Sequence, residues 1–253
     1  MTLGTIIHRF ESVPSTNDTA RDLVRDGAAH GTVVVADEQT RGRGTKGRSW
    51  HSPRGRGLYA SIILRWEKPA EAGTPFSLLP LAAGLAAAEA VLESAGVEAR
   101  LKWPNDLVHE RKKLGGILTE GLFRPGTPGY AIVGIGINVN HEAADFPCDL
   151  VRIATSIRLI TGRPVDRDDL LVRLCRTLDS WYNSVIRGEK EQIIRGYEAR
   201  MAFAPGARVR VTTAEGESGG VFLGLTPEGR LRLQGLAGPE SFSFEDIQAL
   251  DWE

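Results

Sequence analysis

The sequence changes character at Ala204-Pro205-Gly206, and this change restricts the fold more than any other feature. Before it, short runs of alternating apolar residues, typical of strands, are interleaved with longer runs at helical spacing. After it, short apolar segments separated by Gly and Pro predict four strands, at residues 209–211, 221–223, 231–233 and 242–244. We predict an α+β domain over residues 1–204, with a mixed, mainly antiparallel sheet and helices, and a small β-barrel over residues 205–253.

Within the first domain, Ser15 and its neighbours supply helix-capping side chains ahead of a short helix that Gly27 ends. Strands are predicted at residues 32–39, 58–66 and 98–102, and at 114–123 and 130–139, an antiparallel pair joined by a turn at 124–129. Helices are predicted at residues 76–95, 166–187 and 189–201.

Composition excludes several classes of protein. The 31 Lys and Arg against 32 Asp and Glu give a net charge of −1, which argues against a generally basic nucleic-acid-binding protein. Cys148 and Cys175 are too few for a disulfide framework or a cysteine zinc site, and favour a reducing, cytoplasmic compartment. The most apolar stretch, residues 78–88, is shorter than the about 20 residues of a membrane span, so we expect a soluble protein.

Residues 40–57 form a long predicted loop rich in Gly and Arg, and such loops are often functional. Gly42, Gly44 and Gly47 match the dinucleotide-binding pattern G-x-G-x-x-G, but no helix start follows them, so we reject that interpretation. Glycines also let a backbone approach an anion closely.

Four cations stand among these glycines: Arg41, Arg43, Lys46 and Arg48. They suit phosphate oxygens, and Trp50 offers a face on which a base can stack. The alternative is a solvated basic loop without a ligand.

Two further segments carry candidate chemistry. Asn105 and Asp106 follow Pro104, and an Asp beside an amide suits Mg²⁺ on a nucleotide, although a simple turn is the alternative. Lys113 precedes Gly115 and Gly116, which weaken a strand unless something approaches its backbone. Lys113 can reach a carboxylate or phosphate there, or be an ordinary surface lysine. Residues 134–138 repeat this glycine pattern and end at Asn138, where a bulge is the alternative.

In order and spacing these segments resemble the biotin–protein ligase family. The matching segments are Ser15-Thr16-Asn17, Gln39, residues 42–50, Lys102-Trp103-Pro104-Asn105-Asp106, residues 113–118 and residues 134–138. The resemblance implies a class II synthetase-like biotin ligase catalytic domain and an SH3-like C-terminal barrel, in the minimal bacterial class without an N-terminal DNA-binding domain. Thr45 stands where many members have an arginine, which leaves one cation fewer in the loop.

The resemblance further implies an ATP-dependent ligase that activates biotin as biotinyl-5′-AMP, releases pyrophosphate and transfers biotin to a lysine of a biotin carboxyl carrier protein. Lys113, Arg48 and Arg43 are the expected catalytic residues. The expected biotin-binding residues are Ser15, Thr16, Asn17, Gln39, Arg43, Gly44, Thr45, Trp103, Lys113, Gly115 and Gly116. The expected ATP-binding residues are Arg48, Trp50, Asn105, Asp106 and Asn138, with Mg²⁺ at Asp106.

The expected partner is the carrier subunit of acetyl-CoA carboxylase or a similar protein, with no DNA or membrane partner, and a homodimer paired through sheet edges is compatible with the sequence. A lipoate or octanoate ligase-type enzyme is one alternative. A non-catalytic biotin- or RNA-binding module that uses the arginines of residues 41–56 is the other.

Overall fold

The computed structural model of the chain describes residues 2–66, 75–122 and 129–253, and its first sheet has seven strands. In chain order they are β1 (Ile7–Val13), β2 (Val33–Gln39), β3 (Gly57–Trp66), β4 (Arg100–Lys102), β5 (Asp106–His109), β6 (Lys112–Leu122) and β7 (Gly129–Asn138). They lie in the order β1-β2-β3-β7-β6-β5-β4. Within the described chain β1 pairs with β2 in parallel and the other pairings are antiparallel, which confirms the predicted mixed, mainly antiparallel sheet.

The longer strands follow the apolar patterns of the sequence, whereas β1 and β5 were not predicted. The predicted pair at 114–123 and 130–139 is β6 and β7, although Phe123 and residues 124–128 of the predicted turn lie outside the described residues. β1 is an edge strand exposed at four of its seven residues, so it lacks an apolar alternation. β5 has four residues and returns directly from the turn at residues 103–105.

Five helices cover the sheet in the described part of the chain: α1 (Thr16–Arg25), α2 (Leu79–Ala95), α3 (Ile157–Thr161), α4 (Arg167–Ile186) and α5 (Lys190–Arg200). The segment Phe76–Ala95 is the one helix, among the described residues, that is long and apolar enough to cross a membrane, but most of it is buried. It packs against α4, α5 and β6, so it is the central helix of the core. Its Ala-rich sequence lets these elements approach closely.

The second sheet has five antiparallel strands, one more than predicted: β8 (Arg208–Thr213), β9 (Gly216–Leu225), β10 (Leu231–Gly235), β11 (Gly238–Phe242) and β12 (Ile247–Trp252). The strand predicted at 242–244 is wrong in position, because β11 ends at Phe242 and the chain turns there. β12 was missed because its pairing with β8 shifts register between Ile247 and Ala249, which breaks the period of two.

The pairing of β6 with β7 brings glycines together on one face of the sheet, which leaves few side chains there. Gly116 lies opposite Gly136, and Leu118 lies opposite Gly134. The loop between β2 and β3 contains a short 3₁₀ turn, Thr45–Gly47, and a bridge between Arg43 and Ser49. Because no α-helix follows its glycines, the rejection of the dinucleotide-binding pattern is confirmed.

Candidate active site

A cavity of about 460 Å³ lies between this loop and the face of β6 and β7. The predicted site residues that line it are Ser15, Thr16, Asn17, Gln39, Arg43, Gly44, Thr45, Arg48, Trp50, Asn105, Asp106, Lys113, Gly116 and Asn138. The fold thus brings nearly all the predicted residues to one place. Trp103 and Gly115 are the two that it places elsewhere.

One end of the cavity is built from uncharged polar groups around the start of α1. The Thr16 backbone N–H and hydroxyl both donate to Oε1 of Gln39, at 2.8 and 3.1 Å. The Ser61 hydroxyl, fully buried, lies 2.8 Å from the Thr16 hydroxyl and 2.6 Å from Oδ1 of Asn17. Ser15 holds the N-cap position of α1, but its side chain makes no capping hydrogen bond. This end therefore offers a fixed set of donors and acceptors without net charge.

The glycines of β6 and β7 make room for two of these side chains. A Cβ at Gly134 would overlap the amide of Asn17. A Cβ at Gly136 would lie 2.7 Å from the Trp50 indole, and one at Gly116 would lie 3.3 Å from it. Asn17 and Trp50 therefore rest directly on the backbone of the sheet, which explains why two neighbouring strands carry glycines in their interiors.

Arg43 lines the cavity and is held by acidic side chains. Its guanidinium donates to both oxygens of Glu120, at 3.0 and 2.7 Å, and lies 2.9 Å from Asp18. Burial opposes ionisation of Glu120, but hydrogen bonds from Arg43 and Asn17 outweigh it and hold the pKa of this carboxyl below its ordinary value. Arg43 thus ties the loop to α1 and β6.

Lys113 and Asp106 form the charged centre of the cavity. Nζ of Lys113 lies 2.7 Å from Oδ1 of Asp106 and 5.3 Å from the centre of the Trp50 ring. Asp106 is the one carboxylate among the described lining residues. The described residues hold no cluster of three His, Cys, Asp or Glu side chains that could bind a metal ion alone.

The two amides predicted to contact a nucleotide donate hydrogen bonds to the backbone around Lys113. The Asn138 amide donates to the carbonyls of Thr155 at 3.0 Å and Lys113 at 3.4 Å. The side-chain amide of Asn105 donates to the Ile117 carbonyl at 2.9 Å, while the backbone carbonyl of Asn105 accepts from the Ile117 N–H at 2.8 Å. Both side chains therefore fix the strand that carries Lys113.

Sequence analysis missed a basic wall formed by Lys102 and Arg111. Both line the cavity, and both lie over the ring of Trp252 from β12, at 5.2 and 4.5 Å from its centre. Arg111 has a positive φ of 67° and also pairs with Asp251 at 3.1 Å. Burial lowers the pKa of Lys102. Lys102 stands in the quoted motif, but the contact with a residue 150 positions later carries no local signal.

An apolar wall was also missed, because it comes from an irregular segment. Phe146, Leu150, Ile153 and Ala154 line the cavity, as do His51 and Tyr59. The Lys113 N–H donates to the Ile153 carbonyl at 2.7 Å, which draws this segment to the site. It has no apolar period for a sequence pattern to detect.

Trp103 and Gly115 lie outside the cavity lining, unlike the expectation that both would form a biotin wall. Trp103 is 2% exposed and its Nε1 donates to the Gly229 carbonyl at 3.0 Å, so its side chain faces the loop between β9 and β10. A Cβ at Gly115 would lie 2.8 Å from the Gly136 carbonyl, so Gly115 serves the close pairing of β6 with β7.

The sequence is similar to a known ligase family and to characterised members of it. The profile of the Biotin/lipoate A/B protein ligase family matches residues 9–138. The bifunctional ligase/repressor BirA of Bacillus subtilis is 36% identical over 246 residues, which cover 97% of this chain and 74% of the relative. The biotin–[acetyl-CoA-carboxylase] ligase of Mycobacterium tuberculosis is 32% identical over 238 residues, covering 89% and 83% of the two chains.

The biotin protein ligase of Aquifex aeolicus, solved in complex with biotin and ATP, superposes with a TM-score of 0.83 at 29% identity and covers 98% of this chain and 100% of its own. The sequence match, the matching fold and the gathered motif residues agree. The chain therefore belongs to the Biotin/lipoate A/B protein ligase family, and within it to the biotin protein ligases.

Proposed function

We propose that the cavity is where this biotin protein ligase joins biotin to ATP, giving biotinyl-5′-AMP and pyrophosphate, and then transfers biotin to a lysine of a biotin carboxyl carrier protein. The observation that supports this most directly is the Lys113 ammonium at the centre of the cavity, between an uncharged polar end and a basic wall. Biotin and ATP are the two molecules bound by the Aquifex aeolicus relative.

The uncharged end suits biotin. Its ureido ring needs fixed donors and acceptors in a pocket that is otherwise apolar. Ser15, Thr16, Asn17 and Gln39 are the polar groups that we assign to the ring. The backbone at Gly44 and Thr45 contributes from the loop, and the apolar tail lies along Gly116 and Ile117, whose neighbours Leu118 and Ile135 also line the cavity.

The other end suits the nucleotide. Arg48 donates to the carbonyl and hydroxyl of Thr45, at 3.3 and 3.0 Å, and so has hydrogen bonds only to its own loop within the described chain. We assign it to the phosphates and adenylate, and the indole of Trp50 to the adenine. Asn105 and Asn138 support this site by fixing the backbone beside it, and Arg43 supports it by anchoring the loop.

The first step brings the biotin carboxylate against the α-phosphate, and these two anions repel each other. Two unit charges about 4 Å apart interact by roughly 4 kcal/mol at an effective dielectric near 20. Lys113 neutralises part of this charge by lying between them. A carboxylate oxygen then attacks the α-phosphorus and pyrophosphate leaves. In the second step the carrier amine attacks the acyl carbon, AMP leaves, and no covalent enzyme intermediate forms.

The described residues of this site could bind a magnesium ion together with a nucleotide, but not from protein ligands alone. Mg²⁺ is commonly bound by one or two carboxylates together with substrate phosphates and waters, and Asp106 is the one carboxylate of the described lining. Asp106 would hold the ion together with the phosphates of ATP. When bound, Mg²⁺ offsets negative charge on the pyrophosphate that leaves.

The compartment and the domain division complete the proposal. Cys148 is an exposed free cysteine and Cys175 a buried one, which fits a cytoplasmic enzyme. We place the domain boundary at residues 204–205, three residues before β8 begins at Arg208.

The test is an incubation with biotin, ATP, Mg²⁺ and a carrier domain, followed by mass spectrometry. One biotinyl addition to the carrier, dependent on ATP, is the expected result, and the same incubation with lipoate should give none. Absence of both the addition and biotin-dependent pyrophosphate release would refute the proposal.

A further inference from the structure

The tip of the loop over the cavity is tied to the second sheet. Nζ of Lys46 donates to the Glu245 carbonyl at 2.8 Å and lies 5.8 Å from the centre of the Phe244 ring. Both partners belong to the turn between β11 and β12. Among the described residues this is the sole hydrogen bond that joins residues 44–49 to a part of the chain outside the loop.

The two ends of the loop are fastened differently. Arg43 is held by Glu120 and Asp18, and Trp50 rests on Gly136. Between these anchors, the described hydrogen bonds of residues 44–49 other than that of Lys46 stay within the loop, as in Gly44 N–H to the Arg48 carbonyl at 2.6 Å. Residues 44–49 are therefore anchored at both ends, and within the described chain their one hydrogen bond to a residue outside the loop is that of Lys46 with Glu245.

The turn that carries the partners of Lys46 is closed by its own hydrogen bonds. The Ser243 N–H donates to the Asp246 carboxylate at 2.6 Å, which closes the turn, and hydrogen bonds with Ser243 hold the pKa of Asp246 below its ordinary value. Arg230 lies 3.7 Å from the same carboxylate. Lys46 itself adopts φ 56° and ψ 40°, a left-handed conformation that disfavours side chains other than those of Gly, Asn and Asp. This backbone conformation places the Lys46 side chain where it reaches the Glu245 carbonyl.

We propose that the turn at residues 243–246 is a latch that holds the loop closed over the cavity, with Lys46 and Phe244 as its positioning residues. This inference rests on the proposed function, because a closed loop retains biotinyl-5′-AMP and keeps water from its mixed anhydride until the carrier amine arrives. The second sheet thereby controls retention of the intermediate through a contact that touches neither substrate. Lys46 is a positioning residue, and the reacting groups are bound by others.

The first experiment measures release of labelled biotinyl-5′-AMP from the full-length protein, chased with an excess of unlabelled compound. Lys46→Ala removes both the hydrogen bond to Glu245 and the cation–π contact with Phe244, and is expected to speed release by about tenfold. Phe244→Ala removes the cation–π contact alone, and is expected to speed release by about threefold. The double variant should release no faster than Lys46→Ala, since Lys46→Ala already lacks both contacts. Lys46→Arg, which keeps the donor and the charge, should release at close to the original rate.

Arg163→Ala is the matched control, because Arg163 is an exposed cation for which the described chain holds no ion pair, and its release rate should not change. Unfolding midpoints of all variants establish that they are folded. Unchanged release in both single variants would overturn the latch. So would multiplied effects in the double variant, because the two residues would then act independently.

A second measurement separates failure of the latch from failure of the proposed function. Tryptic cleavage after Lys46 and Arg48 in the ligand-free protein reports opening of the loop without any substrate. Phe244→Ala keeps both cleavage sites and should be cut about threefold faster there than the original protein. If the protein does not bind biotinyl-5′-AMP, the proposed function fails, and equal cleavage rates would show separately that no latch exists.

Discussion

Replacing Lys113 by Ala tests the charge argument at the centre of the proposed mechanism. Nζ of Lys113 lies 2.7 Å from Asp106, and the side chains of Lys113 and Asp106 are 34% and 22% exposed. At this partial burial an effective dielectric near 20 is appropriate, so the lost interaction with one anion about 4 Å away is roughly 4 kcal/mol. At 1.36 kcal/mol per factor of ten, Lys113→Ala should slow adenylation by about a thousandfold.

The fold should survive this change, because partly exposed ion pairs contribute at most about 1 kcal/mol to stability. The assay is biotin-dependent exchange of labelled pyrophosphate into ATP, with an unfolding curve for each variant. Lys112→Ala is the matched control: it removes an exposed lysine from the neighbouring position of β6, outside the cavity lining. Exchange within tenfold of the original rate for Lys113→Ala, or an equal loss for Lys112→Ala, would refute the reasoning.

Three further predictions separate the two ends of the cavity and its surroundings. Gly134→Ala should displace Asn17 and raise KM for biotin about tenfold. Gly136→Ala, whose Cβ would lie 2.7 Å from Trp50, should raise KM for ATP about tenfold. Steady-state kinetics with each substrate varied in turn checks both, and a variant that raises the two KM values equally would contradict the assignment. Burial lowers the pKa of His141 to about 4 from 6.5, so folding stability should fall as pH drops from 6.5 towards 4, because the unfolded chain then binds the proton first. That difference corresponds to about 3 kcal/mol, and urea midpoints at pH 7.5 and 5.0 should converge in a His141→Leu variant; an unchanged pH dependence in this variant would exclude His141 as the cause.

Local patterns were enough to predict the parts of the fold whose signal lies within one segment. The strand β2 follows a β-branched run, β3 was predicted from apolar alternation, and the β6–β7 pair and α2 follow apolar runs. Such signals lie within one segment because a buried strand or helix needs apolar side chains along its own length. The motif residues from Ser15 to Asn138 were also predicted as one site, and the cavity gathers nearly all of them. Their roles remain proposals, since motif spacing indicates proximity and not contact with a ligand.

Only the tertiary structure decided which partners these side chains meet. Arg43 was expected in the site and lines the cavity, and its guanidinium pairs with Glu120, 77 positions later in the chain. Trp103 was expected in the biotin wall and instead donates to Gly229 in the second unit.

The sequence by itself therefore determined the main strands and helices, the change to short strands after residue 206, and most of the predicted residues that line the cavity. Chain folding decided the direction of each side chain, the basic wall at Trp252 and the tie between Lys46 and Glu245. The physical reason is the separation along the chain of the residues that interact. Periodicity, turns and helix caps depend on residues a few positions apart, so a sequence pattern can reveal them. An ion pair, a ring contact or a missing Cβ has an effect only when distant segments are packed together.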